Sequence, residues 1–599
     1  MNHPLPQTWE LDSLFPGGSG SEAFASFLKQ LESDISDFRG LVQTSLQGQG
    51  ITTADADRTA AVQLAQSIMN RLKDADSFTA CLAAQNQADK QAVLLGGKVR
   101  DVSAQFLASA TLFDQMLIAM EQPDWDEWLR RPELADVTFH LNERREQAKR
   151  KMAPELEMLA GDLSVDGYHG WSELYNTTVG LMRIPFEENG ETVHLSAGQA
   201  ANKLSHPDRS VRSRSFEAWE QAWGEHADYC ADALNRLAGF RLQLYKHRGW
   251  ESVLEEPLEL NRMSRQTLDV MWQTINSNLD PFVAYLRRKA KLLGLAKLSW
   301  FDVEAPVGSS EQTYPYDAAA KLIVEQFGKV SPQMAEFSRM ALENRWIEAE
   351  DRPGKRPGGF CTAFPVGGQT RIFMTYADTA SNVSTLAHEL GHAFHQHVMN
   401  DLPGFAQNYA MNVAETASTF AEMVVSDAAY KQSAIPAEKL TLLEDKIQRS
   451  VAFFMNIQAR FVFEQSFYEA RREGLVSREK LGELMAIAQR EAFRGELDEL
   501  HPYFWASKLH FYITEVPFYN FPYTFGYLFS AGLYALALRE GAAFEDKYVS
   551  LLRDTGSMNV EELAAKHLGV DLSQPDFWQS ALDLTIADVE SFLRMTDNE

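Results

Sequence analysis

The chain has 599 residues, 45% of them hydrophobic and 23% charged, with a formal net charge of −27. That length and composition describe a globular protein with a large core and more than one structural unit. The negative balance argues against partners held by electrostatic attraction to phosphate, either nucleic acid or an anionic membrane.

From Ser21 to Leu159 the apolar spacing predicts helices, as in Ala23–Leu31 and Ala60–Ile68. The mixed-sign run Glu143–Lys151 reads as a solvated helix face. Leu181–Phe186 and Glu191–Leu195 flank Asn189-Gly190, a hairpin signal, with Pro185 placing the first strand at a sheet edge. The hairpin marks a seam: an N-terminal helical lobe over 1–197 and a second domain over 198–599. Helices resume after Ser196 and run to Leu293, where Gly294 suits a left-handed stop. Trp300–Pro306 reads as extended and then turning, and Tyr316–Arg345 as helical again. The glycines between Arg352 and Gly368 predict a loop, and no phosphate-cradling glycine motif is present. We read that loop as a cap over a site. Arg371–Tyr376 reads as a strand that would pair with a substrate backbone.

The most informative stretch follows. Asp378, Thr379, Ser381 and Asn382 offer helix caps, and Val383, Leu386, Leu390, Ala393 and Phe394 make a buried stripe. On that helix His388-Glu389-Leu390-Gly391-His392 sets two imidazoles four residues apart, on one face. This is the H-E-x-x-H pattern, in which the histidines bind zinc and the glutamate serves as general base. A third ligand is needed, with a fourth position open to water. Val398 stands where the metzincin pattern wants histidine, so that class fails. The candidate is Glu415, 23 residues after His392, on a second helix capped by Asn412 and sharing a face with Ser418, Thr419 and Glu422. Glu422 could fix the tautomer of a ligand histidine. His395 reads as structural, because a fourth ligand would close the site.

His388–His395 together with Glu415–Glu422 resembles the M3 family of zinc oligopeptidases, and most closely its oligoendopeptidase F branch. The opening Thr8–Phe15 and the segment Trp300–Pro306 resemble that family too. The resemblance implies a mainly α, two-lobed molecule with a small β element beside a deep channel. That channel would hold one Zn2+ and admit short unfolded peptides.

Beyond Glu422 the pattern predicts helices over Leu443–Arg472, Arg478–Ala492 and Glu496–Leu500. The stretch His510–Tyr527 is similar to the M3 segment that turns a histidine and tyrosines towards the metal. By that likeness His510 and Tyr519, then Tyr523 and Tyr527, would stabilise the oxyanion, although the tyrosine spacing departs from the family's. Three scattered cysteines, Cys81, Cys230 and Cys361, fit a reducing compartment. No signal peptide is visible, and Tyr527–Leu538 is too short to span a bilayer, so a cytoplasmic protein is expected. Two rivals stay open: another glutamate-type zinc peptidase such as an aminopeptidase, though no segment to anchor a free amine is seen, and a non-catalytic peptide-binding protein that keeps a metal.

Overall fold

The computed structural model describes residues 3–597 apart from 48–50, 189 and 309–311. The molecule is mainly α, with two small sheets. Three long helices, α1 (Glu22–Gln47), α2 (Ile51–Gln85) and α3 (Lys90–Ile118), pack on one another near the N-terminus. Their apolar faces close two small cores, one around Phe38, Phe113 and Trp128, the other around Phe15, Phe24 and Phe78. The larger core takes in the chain from Tyr168 to Phe592. The lobes interlock, because Phe405 enters the first small core and Phe364 and Phe373 enter the second.

The predicted hairpin forms between β1 (Ile184–Glu188) and β2 (Glu191–Leu195), with Pro185 opposite His194. Asn189 of its turn lies outside the described residues. Helices resume at Ala197 with Ser196 as a reciprocal cap, continue through the 40-residue α4 (Arg209–Arg248), and end at Gly294, whose φ of 72° is left-handed.

The second sheet carries the site. β3 (Ile347–Glu348) and β4 (Phe360–Phe364) flank β5 (Gln369–Phe373), which is the middle strand. The expectation that 371–376 offers its edge to a substrate is therefore corrected: both edges of β5 are taken, and the free edge belongs to β4. After Phe373 the chain leaves the sheet, turns at Asp378, whose φ is 55°, and caps itself with Thr379, whose hydroxyl accepts from Asn382 N at 3.2 Å. There α5 (Ala380–Met399) begins, and its predicted stripe is buried.

Other local expectations are also corrected. Arg145 is no solvated face: it is buried, donates to the carbonyls of Leu117 and Met120, and lies over Trp125. The helix over 316–345 breaks at Ser331-Pro332, where proline starts a new turn. Trp300–Asp302 is a 3-10 turn, and Glu496–Leu500 is not helical, because Leu497 bridges to Leu298 instead. Four later helices matter to the site: α6 (Thr416–Gln432), α7 (Pro436–Val451), α8 (Ile457–Glu473) and α9 (Phe521–Glu540). Among the described residues, no single helix is long and apolar enough to cross a membrane.

Candidate active site

Helices α5 and α6 cross in backbone contact. A Cβ placed on Gly391 would lie 2.5 Å from Ala417 O and 2.6 Å from the Cα of Ser418. This approach, which only glycine permits, brings the first turn of α6 under the two histidines. Glu415 stands at the joint between the short helix Met411–Ala414 and α6, with φ −85° and ψ 2°. Asn412 is thus no cap: it is fully buried within the short helix, and its N–H donates to Asn261 Oδ1 at 3.0 Å.

The joint aims Glu415 at the imidazoles. Its Oε2 lies 3.2 Å from His388 Nε2 and 3.4 Å from His392 Nε2, and the three ligand-type atoms fall within 4.8 Å of one another. Burial pushes the Glu415 carboxyl up, but hydrogen bonds from His388 and His392 outweigh it and hold the group well below the ordinary range. Ser418 donates to Glu415 Oε2 at 2.7 Å. On the far ring nitrogen, His388 Nδ1 faces Glu422 Oε2 at 3.3 Å, and Glu422 is itself paired with Arg449.

Glu389 is buried beside this group, and its Oε2 has no partner among the described residues. Burial raises its pKa, against the pull of His392 and His388. A buried acceptor left unpaired costs stability, so a site that keeps one has a use for it. Gly359 on the predicted glycine loop adjoins it: a Cβ there would stand 3.5 Å from Glu389 Oε1.

His395 points the other way. Its Nε2 reaches Leu552 O at 3.2 Å and Thr555 Oγ1 at 2.9 Å, and its ring stacks on Tyr409 at 4.3 Å. Burial, helped by His392, lowers its pKa to about 3, so it is a neutral packing residue.

His510, Tyr519 and Tyr523 come together across a loop and the start of α9. The His510 ring is 5.1 Å from Tyr519 and 5.9 Å from Tyr523, and the two phenol rings stack at 5.2 Å. Burial, with Arg460 and Lys508 adding to it, lowers His510 to about 4, which leaves a neutral imidazole at pH 7. Burial raises the Tyr523 phenol, and Tyr519 and Glu415 add to that rise. Tyr527 is set apart from this trio. Its ring stacks on Phe453 at 4.5 Å and meets Phe454 edge-on, its hydroxyl shares a hydrogen bond of 2.8 Å with Ser450, and burial pushes it up to about 12.

Two cavities meet at the cluster. One, of about 580 Å³, is lined by His388, Glu415, Arg449, Tyr523 and Tyr527; the other, of about 860 Å³, by His388, Glu389, His392, Glu415, Cys361 and Tyr409. The second also takes Asn70, Lys73 and Asp76 from α2. Tyr409 and these α2 residues were not anticipated. No short-range pattern marks them, since they arrive by packing of distant helices.

A helical molecule with two histidines one turn apart, a glutamate from a crossing helix and a neighbouring buried carboxylate is a metallopeptidase in design. The model of Peptidase family M3 matches residues 203–584, and that of Oligopeptidase F matches 117–184. The chain belongs to peptidase family M3. It is 22% identical over 581 residues to Oligopeptidase PepF of Bacillus subtilis, covering 95% of this chain and 84% of that one. It is 26% identical to Group B oligopeptidase PepB of Streptococcus agalactiae, covering 71% of each. Oligoendopeptidase-F from Enterococcus faecium superposes with a TM-score of 0.71 at 16% identity, over 96% of this chain and 99% of that one. The protein is accordingly a metalloendopeptidase that hydrolyses oligopeptides.

Proposed function

We propose that the protein cuts short unfolded peptides internally, with one Zn2+ held by His388, His392 and Glu415 and with Glu389 as general base. The observation that carries this reading is the convergence of three ligand atoms beside a buried, unpartnered carboxylate. Two imidazole nitrogens and one carboxylate oxygen form a donor set of the open, catalytic kind, and Glu422 behind His388 fixes the ring's orientation. A bound zinc ion supplies Lewis acidity, acidifying water and polarising a carbonyl.

The chain's own groups do the rest. Glu389 takes a proton from the attacking water and returns it to the leaving amine, a shuttle suited to a carboxylate raised above its ordinary range. His510 is neutral and can donate an N–H, and Tyr519 or Tyr523 an O–H, to the negative oxygen of the tetrahedral intermediate. Tyr527 shapes the cavity wall beside them, its hydroxyl already being shared with Ser450.

The substrate backbone would lie along β4. Ser77 donates to Ala363 O at 2.8 Å, so that carbonyl points away from β5. By strand alternation the main-chain groups of Cys361 share its direction, next to Glu389. The glycine loop before β4, which adjoins Glu389 at Gly359, caps the site. Two further points belong to this reading. The unpaired thiols of Cys81, Cys230 and Cys361 favour the cytoplasm, which cell fractionation would test. The chain divides at 197/198, and limited proteolysis should then nick first near the hairpin.

An internally quenched peptide blocked at both ends tests the activity. Cleavage should stop with a chelator and return with Zn2+, and Glu389→Gln should lower kcat about 10²- to 10⁴-fold. Cutting only of peptides with a free amino terminus would favour the aminopeptidase reading instead.

A further inference from the structure

Cations buried elsewhere in the molecule are matched to carboxylates or, as at Arg145, Arg241 and Arg371, to backbone carbonyls. Lys289 meets Glu444 at 2.8 Å, Arg212 meets Asp302 at 2.9 Å, and Lys446 meets Asp588 at 2.9 Å. Arg460 and Lys508 break that rule. Both are half-buried, and neither has a carboxylate within ion-pair distance among the described residues. Among the described residues the Arg460 side chain makes one hydrogen bond, from Nε to Asn456 Oδ1 at 2.9 Å, and none from its two terminal nitrogens. Among the described residues the Lys508 ammonium has no hydrogen-bond partner and lies over the Phe504 ring. Both charges lie over one ring, each 5.4 Å from the centroid of Phe504.

Burial lowers both groups, Arg460 to about 10 and Lys508 to about 8, and the Arg460 charge pushes Lys508 down further. Among the described residues Glu304 is the acid that favours both charges, and it is exposed and makes no ion pair with either. Holding two like charges together, partly out of water and without a counter-ion, is unfavourable unless an anion visits them.

Their position says which anion. Lys508 lies two residues before His510, on the same loop. Arg460 projects from α8 one turn before Glu464, which anchors the Tyr519 turn through Phe518 N and Asn520 Nδ2. Tyr523 lines the first cavity together with Glu415 and lies 5.9 Å from the His510 ring, so it joins the metal-ligand cluster to the loop that carries Lys508, on the way to the two cations. A peptide whose scissile bond lies at the cluster would pass Tyr523 before reaching them.

We propose that Arg460 and Lys508 form an anion subsite of the substrate channel that takes a carboxylate of the peptide, either its free C-terminus or an acidic side chain. This rests on the reading that the two cavities at the cluster hold a peptide. An arginine fork and an ammonium beside one apolar ring both favour a carboxylate as partner.

Binding to Glu389→Gln, which lacks the base but keeps the channel, separates this from the question of activity. Calorimetry would compare peptides that differ in one group: C-terminal acid against amide, and Glu against Gln at each internal position. One of these pairs should show about tenfold tighter binding of the acid, the value of one charged hydrogen bond. The pair that shows it identifies the source of the carboxylate. Adding Arg460→Gln or Lys508→Gln should reduce the preference to about twofold or less, and Arg460→Lys should restore part of it. Equal binding of acid and neutral forms in every pair would overturn the proposal. So would a preference that survives both substitutions. The first result needs no variant at either cation, so misfolding of those variants cannot hide it. Failure of the peptidase reading would show separately, as wild-type protein that cuts neither member of any pair.

Discussion

At the scale of single residues, the site depends on carboxylates held out of water for different ends. Glu415 is pinned by two imidazoles, Glu389 is left unpartnered, and Glu464 holds the tyrosine turn. Glu464 is the one whose protonation reads out in stability. Burial lifts it to about 7, against the pull of Arg241 and the bonds from Phe518 and Asn520, while Tyr468 packs near it. Its unfolded value is 4.5. The folded state therefore binds the proton more tightly between those values, and stability from this group is present below 4.5 and lost as pH rises through 7. In urea unfolding, wild-type stability relative to Glu464→Gln should fall by about 1–3 kcal/mol from pH 5 to pH 8. A gap that stays constant or widens in favour of wild type would show that the buried carboxyl is already ionised at pH 5. How much the sequence discloses also varies residue by residue. His388, Glu389 and His392 announce themselves because one helical turn fixes their geometry. Lys508, Tyr409 and Glu464 do not, because their meaning comes from neighbours that other helices bring.

At the scale of elements, the site is a crossing of α5 and α6 backed by α9. Gly526 of α9 sits against Glu415, where a Cβ would stand 3.2 Å from the Glu415 Cβ, and Gly391 of α5 touches the backbone of α6. Gly391→Ala should cost about 1–3 kcal/mol by overpacking, because the atoms it meets are main chain and cannot swing aside. It should also weaken metal binding by moving Glu415. A denaturation midpoint equal to wild type would mean that the helices separate freely, and with them the ligands. The start of α5 was legible, because Thr379 caps it and a buried stripe follows. The break that turns Glu415 was not, because a 3-residue change of direction at Ala414–Thr416 leaves the apolar pattern unaltered. The order of the second sheet was likewise hidden. The β-branched and aromatic residues of 371–376 identify a strand, but only pairing with Ile347 and with Phe360 shows that it is central and spans Gln369–Phe373. Glu496–Leu500 has helical composition, yet its backbone is claimed by the Leu298 bridge and by Trp300 N, which donates to Glu499 O at 2.8 Å.

At the scale of the whole molecule, two cavities converge on a ligand group whose members come from helices joined only by a loop and a crossing. The unfolded chain has no such group, since His392 and Glu415 are then 23 residues apart along a flexible backbone. A divalent ion that binds the folded cluster must therefore stabilise the fold by mass action. Zn2+ at a hundredfold its dissociation constant should add about 2.7 kcal/mol to the unfolding free energy. A chelator should remove that increment, and Glu415→Ala or His392→Ala should abolish it whether or not the variant still hydrolyses peptide. His510→Ala should keep it, because His510 stands with the tyrosines and not among the ligands. Thermal melts of the four proteins with chelator and with Zn2+ make the comparison. An equal metal shift in wild type and in Glu415→Ala would place the ion elsewhere, and the crossing of α5 and α6 would then lose its part in catalysis.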